Sequence, residues 1–323
     1  MTANKSLGRG DSNMDRLSSF LRSEGTLSVR SMKRLKPFVF YIETEEQESY
    51  IVKGNQSFSF VRQQQQFFEK LDIPFVYNYV PFTNNQIILQ GFGLYWTLIP
   101  YIDGDLLHFE QEQDREDALG VVREFHQLTT GCQIEQPLLK LPLYIKWGHR
   151  LQKLQQTKGI MKKYGFKQLY DDVFSVSQER LASFASYDWG EIEKVSVQNW
   201  QWIHGDVAAH NFIRDRNGDV HLIDFDLVSL APHLYDYIQL GQRFLPYLDW
   251  DLEHLLRSFS WLDQSVQPIW LTGLTIPSDF IREWWNFTLR QPTEAQYVAY
   301  LQQLEKEWEK RLQFVEQVKD MLT

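Results

Sequence analysis

The chain is predicted to be an α+β protein with a small, mainly β first part and a larger, mainly helical second part. Three observations lead there. β-prone apolar runs crowd the first hundred residues. Helical periodicity dominates from Glu116 onward. Between them, Pro100-Tyr101-Ile102-Asp103-Gly104 combines proline and glycine, the residues that most often interrupt regular structure.

Taken in order, residues 1–13 are polar and read as a loose tail, and Met14–Arg22 reads as a short helix, so that 1–26 precede the first compact part. Phe38–Ile42 and Tyr50–Lys53 are β-prone, with the acidic stretch Glu43–Glu48 between them, which predicts a hairpin or meander. Phe60, Phe67 and Leu71 recur near helical spacing among glutamines, and Pro74 ends that segment. Further strands are expected at Phe75–Val80, Gln86–Leu89 and Leu94–Ile99, giving a small domain over 27–100. The larger domain, 101–323, opens with a helix over Glu116–Leu128 whose apolar face carries Leu119, Val122, Phe125 and Leu128. Helices are expected over 143–164 and 177–186, and again after Pro292, where Tyr297, Tyr300, Leu301, Leu304, Trp308 and Leu312 recur.

Composition narrows the function classes. With 43 % hydrophobic residues in 323, the chain can bury two real cores. Its 22 Phe, 15 Tyr and 11 Trp imply that aromatic packing supplies much of the burial, or that a sticky surface meets a partner. A net charge of -9 opposes broad nucleic-acid binding, which needs cations to displace phosphate counterions. The basic set Arg30, Lys33, Arg34 and Lys36 reads as a solvated strand edge. The lone Cys132 has no internal disulfide partner. No apolar run reaches the roughly 18 residues of a membrane-spanning helix, and the start lacks a secretion signal, so a cytoplasmic location is expected.

The most informative stretch begins at Trp202-Ile203-His204-Gly205-Asp206. Val207-Ala208-Ala209-His210-Asn211 follows, then Phe212–Arg214, the turn Asp215-Arg216-Asn217-Gly218-Asp219, and Val220–Ile223 leading into Asp224-Phe225-Asp226. Asn-Gly tolerates the positive φ of a tight hairpin. Such a hairpin returns Asp224 to the start of its first strand, where Asn211 sits, with Asp206 in the loop before it. A carboxylate, an amide oxygen and bound phosphates suit Mg²⁺, and another carboxylate can orient an acceptor hydroxyl. A metal-dependent phosphoesterase or nuclease uses similar residues, and His204 and His210 keep that alternative open.

His204-Gly205-Asp206 with Asn211 resembles the catalytic loop of the aminoglycoside phosphotransferase and choline kinase-like superfamily, and Ile223-Asp224-Phe225-Asp226 resembles its metal-binding motif. Arg34-Leu35-Lys36-Pro37-Phe38-Val39-Phe40, ahead of Tyr50-Ile51-Val52-Lys53-Gly54, looks like the bacillar spore-coat-associated CotS/YutH branch. The resemblance covers roughly 30–310 and implies a bilobal protein-kinase-like fold. It implies Asp206 as catalytic base, Asn211 and Asp224 as Mg ligands, and Lys53 as the strand lysine on ATP phosphates, fixed by an ion pair with Glu69. Singly, Lys53 reads as a solvated strand lysine and Glu69 as an exposed helix residue. His126 and Asp236 resemble architectural residues of the large lobe. Two departures stand out. No glycine lies between Arg30 and Lys53, where a phosphate-binding loop is expected, and Phe38, Phe40 and Tyr41 fill that stretch. Pro100 removes a donor near the adenine hinge, leaving the amides of Tyr101 or Ile102. The implied activity is transfer of the ATP γ-phosphate to a small-molecule or envelope-related hydroxyl. The alternative is a non-catalytic scaffold partnered with spore-coat proteins.

Overall fold

A computed structural model describes residues 11–71 and 73–323. The tail expected over 1–13 lies largely outside the described residues. The elements, in chain order, begin with α1 (Asp11–Gly25), β1 (Val29–Lys36), β2 (Val39–Thr44), β3 (Ser49–Asn55), α2 (Phe58–Glu69), β4 (Leu89–Gly91), β5 (Leu94–Pro100) and β6 (Gly104–Leu106). Helices α3 (Glu112–Thr129), α4 (Leu143–Gln156), α5 (Lys158–Lys163), α6 (Lys167–Ala185) and α7 (Trp189–Gln198) follow. Then come β7 (Trp202–Ile203), β8 (Phe212–Asp215), β9 (Val220–Leu222), β10 (Ser229–Leu230), α8 (Leu234–Phe244), α9 (Leu252–Ser258), α10 (Gln267–Leu274), α11 (Ser278–Leu289) and α12 (Glu294–Leu322).

The chain forms two compact units that interleave in sequence. The first holds the residues up to Leu107 together with Gln127–Leu138 and His210–Phe225. The second holds His108–His126, Leu139–Ala209 and Asp226–Thr323.

The first unit is built on an antiparallel sheet of order β1-β2-β3-β5-β4. In β2 the alternation Phe40, Ile42, Thr44 faces inward, the period of two that a half-buried strand needs. Leu17 and Leu21, four apart on α1, join Phe40, Ile42, Val52 and Trp96 in one core. The edge strand β1 carries the basic residues outward, which also discourages edge-to-edge pairing. A second sheet, β6-β8-β9, contains the expected hairpin. Two strand expectations need correcting. Phe75–Val80 is irregular, joined to a strand only by the single bridge Val80–Leu98. The Phe75 carbonyl instead accepts the Leu222 amide of β9 at 3.0 Å, so this apolar run braces the hairpin. Gln86–Ile88 are not strand, because β4 starts only at Leu89.

The second unit is helical. Leu154, Tyr170, Val173, Trp284, Leu301 and Trp308 share one core. The helix expected over 143–164 divides at Thr157, whose hydroxyl donates to the Leu154 carbonyl and accepts from the Trp284 indole, both at 2.8 Å. A capping box of Thr293 and Gln296 starts the 29-residue α12. Most of the aromatic wealth is consumed in packing, and Trp96, Trp202, Trp270 and Trp284 are fully buried.

Candidate active site

In the first unit the hairpin closes as its sequence implies. Phe212 pairs with Leu222, and the Ile223 amide donates to the Asn211 carbonyl at 2.9 Å. Asn211, which is 2 % exposed, and Asp224 are thereby held at the two ends of one hairpin. The turn is fixed by Gly218 at φ 94° and by Asp215, whose carboxylate accepts the amides of Asn217 and Asp219.

Asp224 itself takes φ 62°, a left-handed conformation that costs a non-glycine residue energy and needs the surroundings to enforce it. It turns the carboxylate toward Lys53 in β3, whose ammonium donates at 2.8 Å. Lys36 reaches the other oxygen at 3.4 Å. Burial pushes the Asp224 carboxyl up, but Lys53 and Lys36 outweigh it and pull it down to about 2, so it is ionised at any ordinary pH.

Lys36, expected on a solvated strand edge, is brought instead to Asp224. It begins the turn between β1 and β2, where Pro37 and Phe38 occupy the corner and Phe38 takes φ 61°. Proline followed by a positive φ is the type II pattern, with phenylalanine where glycine is usual. Pro37 has no amide to offer and the Phe38 carbonyl accepts from Gly54 at 2.8 Å. A side-chain cation therefore stands where a glycine-rich loop would present amides.

The pairing of Lys53 with Glu69 is not found. Glu69 is exposed and accepts from Gln65 at 2.6 Å, because the inward face of α2 carries Gln64, Gln65, Phe67 and Phe68. Gln64 donates to the Phe225 carbonyl at 2.7 Å and accepts from the Tyr79 hydroxyl, while Phe68 meets the Phe225 ring edge-on at 5.2 Å. So a glutamine on α2 ties down the segment next to Asp224. Replacing Gln64 with leucine removes the amide that donates to the Phe225 carbonyl and is expected to cost about 1–3 kcal/mol, read as a lowered denaturation midpoint. A helical wheel drawn on apolar residues alone could have pointed to Gln64, since it shares the face of Val61, Phe67 and Phe68.

At the predicted hinge, the Tyr101 amide is already used, donating to the Ser49 carbonyl at 3.0 Å. This removes Tyr101 as an adenine donor because the sheet continues one pair beyond Pro100. Ile102 has a buried side chain. Burial pushes the Cys132 thiol up, with Lys70 opposing, so it is no activated nucleophile.

In the second unit, β7 pairs with β10 and delivers His204-Gly205-Asp206. Asp236, fully buried on α8, accepts the His204 amide at 2.8 Å, the Gly205 amide at 2.9 Å and the His126 Nε2–H at 3.0 Å. Burial raises its carboxyl, but these donors outweigh burial and hold it ionised. His126 completes its bonding by accepting from Tyr237 at 2.9 Å, and its ring stacks on His233. Gly205 must be glycine. Its φ is 82°, and a Cβ there would lie 2.6 Å from the Leu227 carbonyl oxygen and 2.7 Å from Lys140 Nζ. The Asp206 carboxylate accepts from Arg243 at 2.7 Å, and its amide meets His204 Nδ1 at 3.3 Å. Asp226 is exposed in a short 3₁₀ turn.

Among the described residues, no group of three or more His, Cys, Asp and Glu side chains is placed to hold a metal. The dense carboxylate–histidine centre of a metallophosphoesterase is thus not found there. The donors at the hairpin are one amide and one carboxylate, a sparse set that suits an ion which keeps waters and shares phosphate oxygens, as Mg²⁺ does.

A sheet with a lysine strand, the helix after it, an acid-tipped hairpin and a helical second unit define a kinase-like α+β protein. The chain belongs to the phosphotransferase enzyme family, whose profile matches residues 37–254. It is similar to an aminoglycoside phosphotransferase from Alicyclobacillus acidocaldarius at 18 % identity and TM-score 0.72, over 92 % of this chain and 93 % of that one. A spectinomycin phosphotransferase in complex with ADP and spectinomycin shares 13 % identity at TM-score 0.60, over 90 % and 93 % of the two chains. Choline kinase LicA from Streptococcus pneumoniae shares 12 % identity at TM-score 0.54, over 94 % and 99 %. No curated protein matches the chain. Among the described residues, no helix is long and apolar enough to cross a membrane.

Proposed function

We propose that the protein is a Mg-dependent phosphotransferase that moves the ATP γ-phosphate to a hydroxyl of a small-molecule or envelope-related acceptor. The observation that carries this reading is the ion pair of 2.8 Å between Lys53 and Asp224, at the end of a hairpin whose other end is Asn211. Asn211 and Asp224 would hold Mg²⁺, and the ion would neutralise charge on the transferring phosphate. Lys53 and Lys36 would bind nucleotide phosphates, with their charges already positioned. Ile102 would offer its amide to the base. Asp206, held by Arg243, would orient the acceptor hydroxyl and take its proton late.

Titration with ATP, with and without Mg²⁺, tests the assignment. The wild type should bind ATP more tightly with the metal. Asp224→Ala should weaken Mg–ATP binding by about 10–100-fold or more, since it removes a direct ligand. It also removes the negative charge set against Lys53 and Lys36, so metal-free ATP should bind no worse than to the wild type. A flat response in both proteins would favour the second reading, a kinase-like scaffold. The resemblance of residues 34–40 and 50–54 to the CotS/YutH branch favours spore-coat proteins as the partners of such a scaffold.

A further inference from the structure

From Asp206 outward, the second unit carries a succession of cations on four elements. Arg243 of α8 donates to Asp206 at 2.7 Å. Lys140, in the segment before α4, abuts Gly205 and reaches the Leu227 carbonyl at 3.4 Å. Lys146 and Arg150 stand one turn apart on α4, and so on one face. Arg150 donates to the Ser278 carbonyl at 3.1 Å, at the start of α11, and Arg282 follows one turn along that helix.

The carboxylates nearby do not balance them. Asp279 is consumed by a two-pronged pair with Arg311. Glu283 meets Arg282 at 3.8 Å, and Asp206 is already opposed by Arg243. Asp236 lies buried under its own donors. Lys140, Lys146 and Arg150 are left in excess, in a chain of net charge -9. Keeping them together costs stability. Burial first, then the charges of Arg150, Lys140 and Arg282, lower Lys146 to about 8 against a weaker pull from Asp206. Burial and Arg282 likewise lower Arg150. Like charges held together against their own repulsion beside a candidate catalytic carboxylate are best explained by an anion that joins them.

We propose that the acceptor is an anionic hydroxyl compound, carrying a phosphate or carboxylate that Lys140, Lys146 and Arg150 bind while Asp206 orients the hydroxyl. This rests on the phosphotransfer reading. In the step implied, the acceptor oxygen forms a bond to the γ-phosphorus, the bond from that phosphorus to the bridging oxygen of ADP breaks, ADP leaves, and the hydroxyl proton passes to Asp206. A polycationic acceptor would meet repulsion here instead.

The test is calorimetric titration of the full chain with glycerol 3-phosphate, gluconate and kanamycin, followed by ADP release with each in the presence of Mg–ATP. Saturable binding of at least one anion is expected, weakened as salt rises from about 0.05 to about 0.5 M. Binding of glycerol 3-phosphate alone assigns a phosphate, and comparable binding of both assigns either oxyanion. Arg150→Gln breaks a tie to α11 and could disturb folding, so Lys146→Gln is the informative variant. The Lys146 ammonium has no hydrogen-bond partner to lose among the described residues, and glutamine keeps the backbone bond to the Pro142 carbonyl. K146Q should raise the anion Kd about tenfold, the worth of one charge-assisted bond, and K146R should restore it. The proposal is overturned if no anion binds saturably, if kanamycin binds as tightly as the anions, or if K146Q leaves the anion Kd within about twofold. Anion binding without any Mg–ATP binding would refute the phosphotransfer reading and leave the oxyanion site standing. Mg–ATP binding with no anion binding would do the reverse.

Discussion

Replacing Asp236 with alanine is expected to destabilise the protein by about 3–5 kcal/mol, enough to unfold much of it at moderate temperature. The carboxylate is completely buried and accepts from the His204 amide, the Gly205 amide and His126 Nε2, with Gln239 Nε2 farther off at 3.5 Å. Alanine removes the acceptor and leaves the donors in a space that water does not reach. Each stranded donor costs about 1–3 kcal/mol, partly offset because the charge no longer has to be desolvated. Asparagine does not rescue the site, since its amide nitrogen would face a donor where the carboxylate offered an acceptor. The loss should appear as a lower denaturation midpoint. The damage should also reach the loop that holds Asp206, because the two amides pinned by Asp236 come just before it. A variant with an unchanged midpoint would mean that the burial of Asp236 does not organise this loop.

Asp206→Asn should have the largest effect on turnover with little effect on folding. Asparagine keeps the shape and can still accept from Arg243, so the ion pair of 2.7 Å becomes an ordinary hydrogen bond. What disappears is the carboxylate that, on the proposed reading, takes the acceptor's proton. For a group acting as general base, the expected loss is about 10²–10⁴-fold in kcat, with ATP affinity nearly unchanged. Steady-state ADP release with a competent acceptor measures it, alongside a calorimetric ATP titration of the same preparation. A variant that turns over within about threefold of the wild type would remove Asp206 from the chemistry. Arg243 fixes the direction of the Asp206 carboxylate, the preorganisation that the proposed role needs.

Much of this was readable in the chain itself. Asn217-Gly218 announced the hairpin, and the short span between Asn211 and Asp224 left their strands little choice but to fold back on each other. The apolar recurrence after Pro292 announced α12. The β-prone run Phe38–Ile42 overlaps β2, and the run Leu94–Ile99 fell inside β5. The failures share a cause. Phe75–Val80 has strand composition but finds no strand to pair with along its length, because its backbone serves β9 instead. Glu69 stands at a plausible distance along the sequence from Lys53, yet the rotation of α2 turns Gln64 inward and Glu69 out to solvent. Tyr101 lost its role because one further sheet bond claims its amide.

By itself, then, the sequence determined the division into a mainly β first part and a mainly helical second part, the acid-tipped hairpin, the loop with Asp206, and membership of the phosphotransferase family. These depend on turn geometry and hydrophobic period, which operate over a few residues. Only the tertiary structure decided that Lys53 and Lys36 share Asp224, that Gln64 secures Phe225, that Arg243 meets Asp206, and that Lys140 abuts Gly205. Those partners lie tens of residues or more apart in the chain. Which of them meet depends on how helices and strands rotate to bury their apolar faces, and short-range rules cannot fix that rotation.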